Sequence, residues 1–277
     1  MALLLGSMIR LADRREGYSE DVVRAEVAAP VVAARPLRRR VPLSPVGVGL
    51  VVTATALMVS GYVVRLTGST GPTAQLLSMD AAFSLPRMFV ALTFAAAAFA
   101  AVAGAGCIPG RRTWWMAVGI VAAGIATVKA GSSVHSVALS TLNNAVTPTG
   151  GLIVSVVLAL AVVGALSFLS RAEPRDRKRV LSVLALYGVA AVGLSAVSSA
   201  VAGTYGGASI WAAAATFLEE TGEALAGVMF LMAVLVGVAP RLVLPADWVL
   251  RREADAHSLE LPEPLPARTV VRDGAAG

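Results

Sequence analysis

The sequence predicts an all-α, polytopic membrane protein: a bundle of six transmembrane helices with both termini in the cytoplasm. Composition carries the first part of that expectation. Of 277 residues, 57% are hydrophobic and 14% charged, whereas a soluble domain is about 45–50% apolar and about 25% charged. The excess of Ala, Val, Leu and Gly is gathered into long runs, and a spanning helix needs roughly 20 mostly apolar residues. The third observation is the placement of charge, because Arg and Lys crowd into every second connection and leave the others nearly bare.

The first span runs from Val46 to Leu66 and the second from Pro86 to Gly106, a stretch dominated by Ala with Gly104 and Gly106 at its end. The third covers Thr113 to Ser136, opening on Trp114 and Trp115, which read as interfacial anchors beside Arg111 and Arg112. The fourth runs from Leu152 to Ser170. The fifth runs from Val180 to Ala202, with Gly188, Gly193 and several serines, and the sixth from Ser209 to Val238. Small residues let helices approach closely in lipid, where dispersion and interhelical hydrogen bonds hold a bundle together. Trp248 reads as a further anchor beyond the sixth span.

Loop charge sets the orientation. The N-terminal segment carries eight arginines from Arg10 to Arg40, and the second connection carries Arg111 and Arg112. The fourth connection carries Arg171, Arg175, Arg177, Lys178 and Arg179, and the tail Arg241, Arg251, Arg252, Arg268 and Arg272. The other three connections hold no Lys or Arg except Arg65 and Arg87 at their edges. Positive residues stay inside, so both ends are cytoplasmic and the membrane is the inner (plasma) membrane. Residues 1–45 then form a cytoplasmic segment, partly disordered, 46–238 the membrane domain, and 239–277 a cytoplasmic disordered tail interrupted by Pro262, Pro264 and Pro266. The start of the chain does not read as a secretory signal, since the apolar Ala2–Leu5 precede the charges. Met1 to Arg15 fits either a short amphipathic surface helix or a plain tail.

Charge of +6 does not imply nucleic acid here. The basic residues follow topology instead of one soluble face, and 5% aromatic content offers little surface for stacking bases. The single cysteine, Cys107, excludes an intramolecular disulfide and any Cys-based metal cluster. It reads as a small packing residue.

The informative feature is a layer of ionisable residues at similar depth. Counted from the cytoplasmic ends at 1.5 Å per residue, Lys129 on the third span lies roughly 24 Å up. On the sixth span Glu223 lies at roughly 22 Å, and Glu220 and Glu219 at roughly 27–28 Å. Tyr62 and Arg65 on the first span reach roughly 24 and 28 Å. Ser195, Ser198 and Ser199 share the layer, with His135 and Arg87 slightly further out. Arg65, Arg87 and Lys129 balance Glu219, Glu220 and Glu223. The glutamates, three and four residues apart, share a helix face, and carboxylates so close cannot all ionise cheaply in low dielectric. Glu223, deepest in the span, is the one expected to resist ionisation most.

The candidate polar site is therefore Lys129, His135, Glu219, Glu220, Glu223, Arg65 and Tyr62. Each has a plainer reading beside it. Arg65 and Arg87 fit interface residues that snorkel to the headgroups, and His135 fits a surface or packing residue. Lys129 with the glutamates fits either a structural ion network or a functional cavity open to the outer side, since buried charge in lipid is expensive to keep. A metal is not expected, because Lys129 would repel it. No cofactor motif is present: the chain has no phosphate loop, no dinucleotide fingerprint, no G-x-S-x-G and no H-E-x-x-H.

Glu219-Glu220-x-x-Glu223 followed by Gly227 and V-M-F-L-M-A-V-L resembles the late helix of a group of uncharacterised bacterial multi-pass membrane proteins. An earlier helix of that group carries an Asp-Glu pair followed five residues later by His-Glu. Here Lys129 and Ala130 stand at the acidic pair and Ser136 follows His135, so only the histidine matches. The resemblance implies a multi-pass bacterial membrane protein and carries no activity.

Three functions remain open to the sequence. The first is a membrane protein that binds or moves a small polar or amphiphilic ligand at the polar layer, with protons coupled through the glutamates. The second is a membrane-embedded enzyme acting on lipid, with a glutamate as general acid or base and His135 assisting. The third is a structural or accessory subunit stabilised by an ion network. The expected partners are membrane lipids and a small-molecule ligand.

Overall fold

A computed structural model describes residues 44–108, 110–131, 148–171 and 174–245. His135, Trp248, both terminal segments and the last residues of the expected third span lie outside them. Every regular element among the described residues is helical, and six helices are long and apolar enough to cross a membrane. An exterior of exposed Val, Leu, Ile and Phe fits a multi-pass membrane protein.

The first span is α1, Pro45–Leu66. Proline in its first turn costs nothing, because the first N–H groups of a helix have no intrahelical partner. Thr53 and Thr55 face outward, each returning its hydroxyl at 2.9 Å to a carbonyl four residues back, Gly49 and Val51. A polar side chain satisfied inside its own helix can face hydrocarbon without an orphaned donor. The short α2, Pro72–Leu77, lies in the connection that follows. That connection folds onto α1 at Gly61, where a Cβ would stand 2.6 Å from both Leu77 O and Met79 Cγ.

The second and third spans, α3 (Leu85–Cys107) and α4 (Arg112–Ala130), pack together along small residues. Ala97, Ala98, Ala101 and Ala105 on α3 are buried, as are Gly119, Ala122 and Ala126 on α4. A Cβ on Gly119 would come within 2.8 Å of Val102. α4 ends at Ala130, short of the expected Ser136, because Gly131 turns to φ 104° in the left-handed region that favours glycine.

The fourth span, α5, is Pro148–Leu169. The fifth is composite: α6 (Pro174–Gly188), a π-helical segment Val189–Leu194, and α7 (Ser195–Tyr205). The sixth, α8, is Ile210–Val238, its first turn capped by Ser209 Oγ accepting from Ala212 N–H at 3.1 Å. A four-residue turn, α9 (Pro240–Val243), follows. α8 is the centre of the bundle and packs against α1, α3, α6, the π segment and α7. Its lower half meets the aromatic core, where Phe94 contacts Tyr187 edge-on at 4.8 Å and Phe230 at 5.4 Å between centroids.

Two expectations are corrected. Trp114 and Trp115 are not interfacial anchors: they are 2% and 0% exposed. Trp115 lays its six-membered ring against Gly237 of α8, a site a larger residue would block. Cys107 is exposed at the end of α3 and packs nothing inside. Basic residues of the connections also make specific pairs. Asp176, in the first turn of α6 and 1% exposed, pairs with Arg111 at 3.3 Å and Arg179 at 3.6 Å, tying the start of α6 to the α3–α4 connection.

Candidate functional site

Two long side chains join α4 to α8. Trp115 touches Gly237 at one end, and Lys129 reaches Glu220 and Glu223 at the other. Trp115 and Lys129 are fourteen residues apart, as are Gly237 and Glu223, so both contacts are separated by roughly 21 Å along antiparallel helices. The same spacing on both helices puts the lysine opposite the carboxylates, and the helical rise alone fixes this alignment.

Lys129, Glu220 and Glu223 are 7%, 5% and 3% exposed. The lysine Nζ lies 3.3 Å from Glu220 Oε2 and pairs more closely with Glu223 Oε2. Tyr187 of α6 lies close to Glu223. Lys129 sits in the last turn of α4, where exposed carbonyls favour positive charge. Arg87 of α3 donates from Nε to the carbonyl of Lys129 at 3.4 Å and from Nη1 to the carbonyl of Asp80 at 3.1 Å. It thereby closes the C-terminus of α4 over the cluster.

The other candidate residues stand apart. Glu219, half-buried, turns away from Lys129 and shares a hydrogen bond with Ser198 of α7. Arg65 pairs with Asp80 at 3.4 Å and donates to the carbonyl of Gly207 at 3.2 Å. Tyr62 stacks on Phe217 with centroids 4.8 Å apart, fastening α1 to α8. An open groove of about 660 Å³ lies beside Arg65, between Gly61, Ser69, Gln75 and Asp80. Neither Lys129 nor a glutamate lines it. The layer thus resolves into three: a buried lysine–diglutamate cluster beside Tyr187, a Glu219–Ser198 pair, and an Arg65–Asp80 pair.

No protein family, curated protein or solved structure matches this chain. The site is therefore read from its own chemistry.

Sequence reasoning missed Asp80, Tyr187 and the π segment. Asp80 changes the charge count, since the layer then holds four carboxylates against Arg65, Arg87 and Lys129, and Asp80 pairs with Arg65. It could have been found by extending the count into the connection between α1 and α3. Tyr187 is one of four tyrosines in the chain, and a phenol within an apolar span was the available signal. The π segment had none.

Proposed function

We propose that this chain is a multi-pass protein of the inner (plasma) membrane, both termini cytoplasmic, that binds or moves a small polar or amphiphilic ligand at the Lys129–Glu220–Glu223 cluster. One observation supports the reading above others: three ionised-type side chains are buried together between helices that are long enough to span a bilayer. Such residues are rare in spanning helices, because their desolvation is costly, and they mark ligand and ion pathways. The chemistry suits a ligand bearing both charges, such as a zwitterion or a phospholipid headgroup. An internal ion pair can open to such a ligand with each charge finding a new partner, so no charge is left buried alone.

The test is thermal unfolding of the purified protein in detergent with millimolar glycine, phosphoethanolamine, phosphocholine or ethylammonium. A specific ligand at 100 times its Kd stabilises by about 2.7 kcal/mol. At least one probe is expected to raise the unfolding temperature, and the rise should vanish in Glu220→Gln. No rise with any probe would leave the cluster as a structural brace.

Orientation is tested by the lone thiol. Cys107 is exposed at the end of α3, and the basic connections place that end inside. A membrane-impermeant maleimide is expected to label inverted vesicles and spare right-side-out ones. Reporter fusions at Arg40 and Arg251 should read cytoplasmic, and one at Thr73 external. Labelling of Cys107 from outside would reverse the topology.

A further inference from the structure

The groove beside Arg65 has two unlike walls. One is the end of α1, with Gly61, Val64 and Arg65; the other is the connection through α2, with Ser69, Gln75 and Asp80. The connection is fixed in place. Gly61 lets it lie directly on α1, where Met79 packs at 1% exposure. Asp80 is held from two sides, its carbonyl accepting from Arg87 Nη1 at 3.1 Å and its Oδ1 from Ser78 Oγ at 2.7 Å.

Arg65 and Asp80 bring opposite charges to this groove. They meet in a single 3.4 Å approach of Nη1 to Oδ2, with side chains 29% and 56% exposed. Exposed pairs of this kind contribute little to stability. A ligand that gives each group a better partner therefore separates them at small cost. Both have room for one. A guanidinium carries five N–H donors and an ionised carboxylate about four acceptor sites. Among the described residues Arg65 donates to Asp80 and to Gly207 O, and Asp80 accepts from Arg65 and Ser78, so each keeps further sites.

Position along α1 indicates the ligand. Arg65 stands twenty residues beyond Pro45, about 30 Å along the helix, which matches the hydrocarbon core of a bilayer, about 30 Å thick. With Pro45 at one edge of that core, the guanidinium stands at the other, at the level of lipid headgroups. Val63 and Leu66 on α1 and Leu76 on α2 are about half exposed and offer apolar surface next to the lining residues in sequence.

We propose that this groove binds a zwitterionic phospholipid whose headgroup ends in a primary ammonium, with the phosphate on Arg65, the ammonium on Asp80 and the acyl chains along the apolar surface of α1. The planar fork of arginine matches phosphate oxygens. A primary ammonium brings three N–H donors to a carboxylate, whereas a trimethylated one brings none. The site is separate from the lysine cluster and does not depend on the activity proposed there.

Native mass spectrometry of the delipidated full chain in detergent tests this, with short-chain phosphatidylethanolamine, phosphatidylcholine and phosphatidylglycerol as ligands and free phosphoethanolamine as competitor. The ethanolamine lipid should bind about tenfold more tightly than the other two, the effect of one added hydrogen bond to a charged group. Arg65→Gln should weaken ethanolamine and choline lipids alike, because both carry the phosphate. Asp80→Asn should erase the preference between them, and Glu220→Gln should leave it unchanged. Circular dichroism checks that each variant is folded. Equal affinity for the three lipids, or a preference that Asp80→Asn does not alter, would overturn the proposal. Loss of the preference in Glu220→Gln would move the lipid to the lysine cluster and overturn it too. Displacement of the lipid by an equal concentration of free phosphoethanolamine would make a soluble solute the occupant and overturn the lipid assignment.

Discussion

Lys129→Met should destabilise the protein by about 3–5 kcal/mol, the usual cost of removing one partner of a buried ion pair. The lysine is the ammonium that both Glu220 and Glu223 share, and all three are over nine-tenths buried. Without it two carboxylates stay between apolar helices with only Tyr187 and the more distant Arg87 for company. Reversible unfolding in mixed micelles measures the loss. Adding Glu223→Gln removes one of the stranded charges, so the double variant should recover part of it, with a coupling of about 0.5–3 kcal/mol. Strict additivity of the two changes, or a single-variant cost below about 1 kcal/mol, the range of exposed pairs, would mean that the lysine escapes to water and the pair is not closed.

The second large effect lies at the opposite end of the same two helices. Trp115 is fully buried against Gly237, and truncating a buried aromatic costs about 3–5 kcal/mol because the cavity collapses only in part. Gly237→Ala should also destabilise, by about 1–3 kcal/mol, since a methyl group would enter the space of the indole ring. Their combination separates this contact from general loosening. In Trp115→Ala the new methyl occupies vacated volume, so the double variant should lose less than the sum of the two. An additive result in the same unfolding assay would show that Trp115 and Gly237 do not meet.

Much of the helical architecture was legible because hydrocarbon imposes a length and loop charge marks alternate connections. α1 and α8 end within a residue of their expected limits. The juxtaposition of Lys129 with Glu220 and Glu223 was legible for a similar reason: rise per residue is fixed, so depth can be counted. Azimuth cannot be counted as safely. Glu219 and Glu223 share a face on a helical wheel, yet one turns to α7 and the other to α4, since which neighbour lies where is a tertiary fact. The tryptophans were misplaced by a statistical preference for interfaces that Gly237 overrides locally. Asp80 and Asp176 were overlooked because loop charges were weighed as topology signals and not as partners. His135 lies outside the described residues.

The π segment Val189–Leu194 has a further consequence for how the fifth span transmits position. Tyr187 lies before it and Ser198 beyond it, and each addresses a different carboxylate of α8. Wide turns of this kind are rare and concentrate at functional sites. They offset the phase of everything downstream, as a slipped tooth offsets a gear. One residue corresponds to about 100° of rotation, so tightening this stretch to an ordinary helix would swing Ser198 off Glu219 and leave Tyr187 on Glu223 untouched.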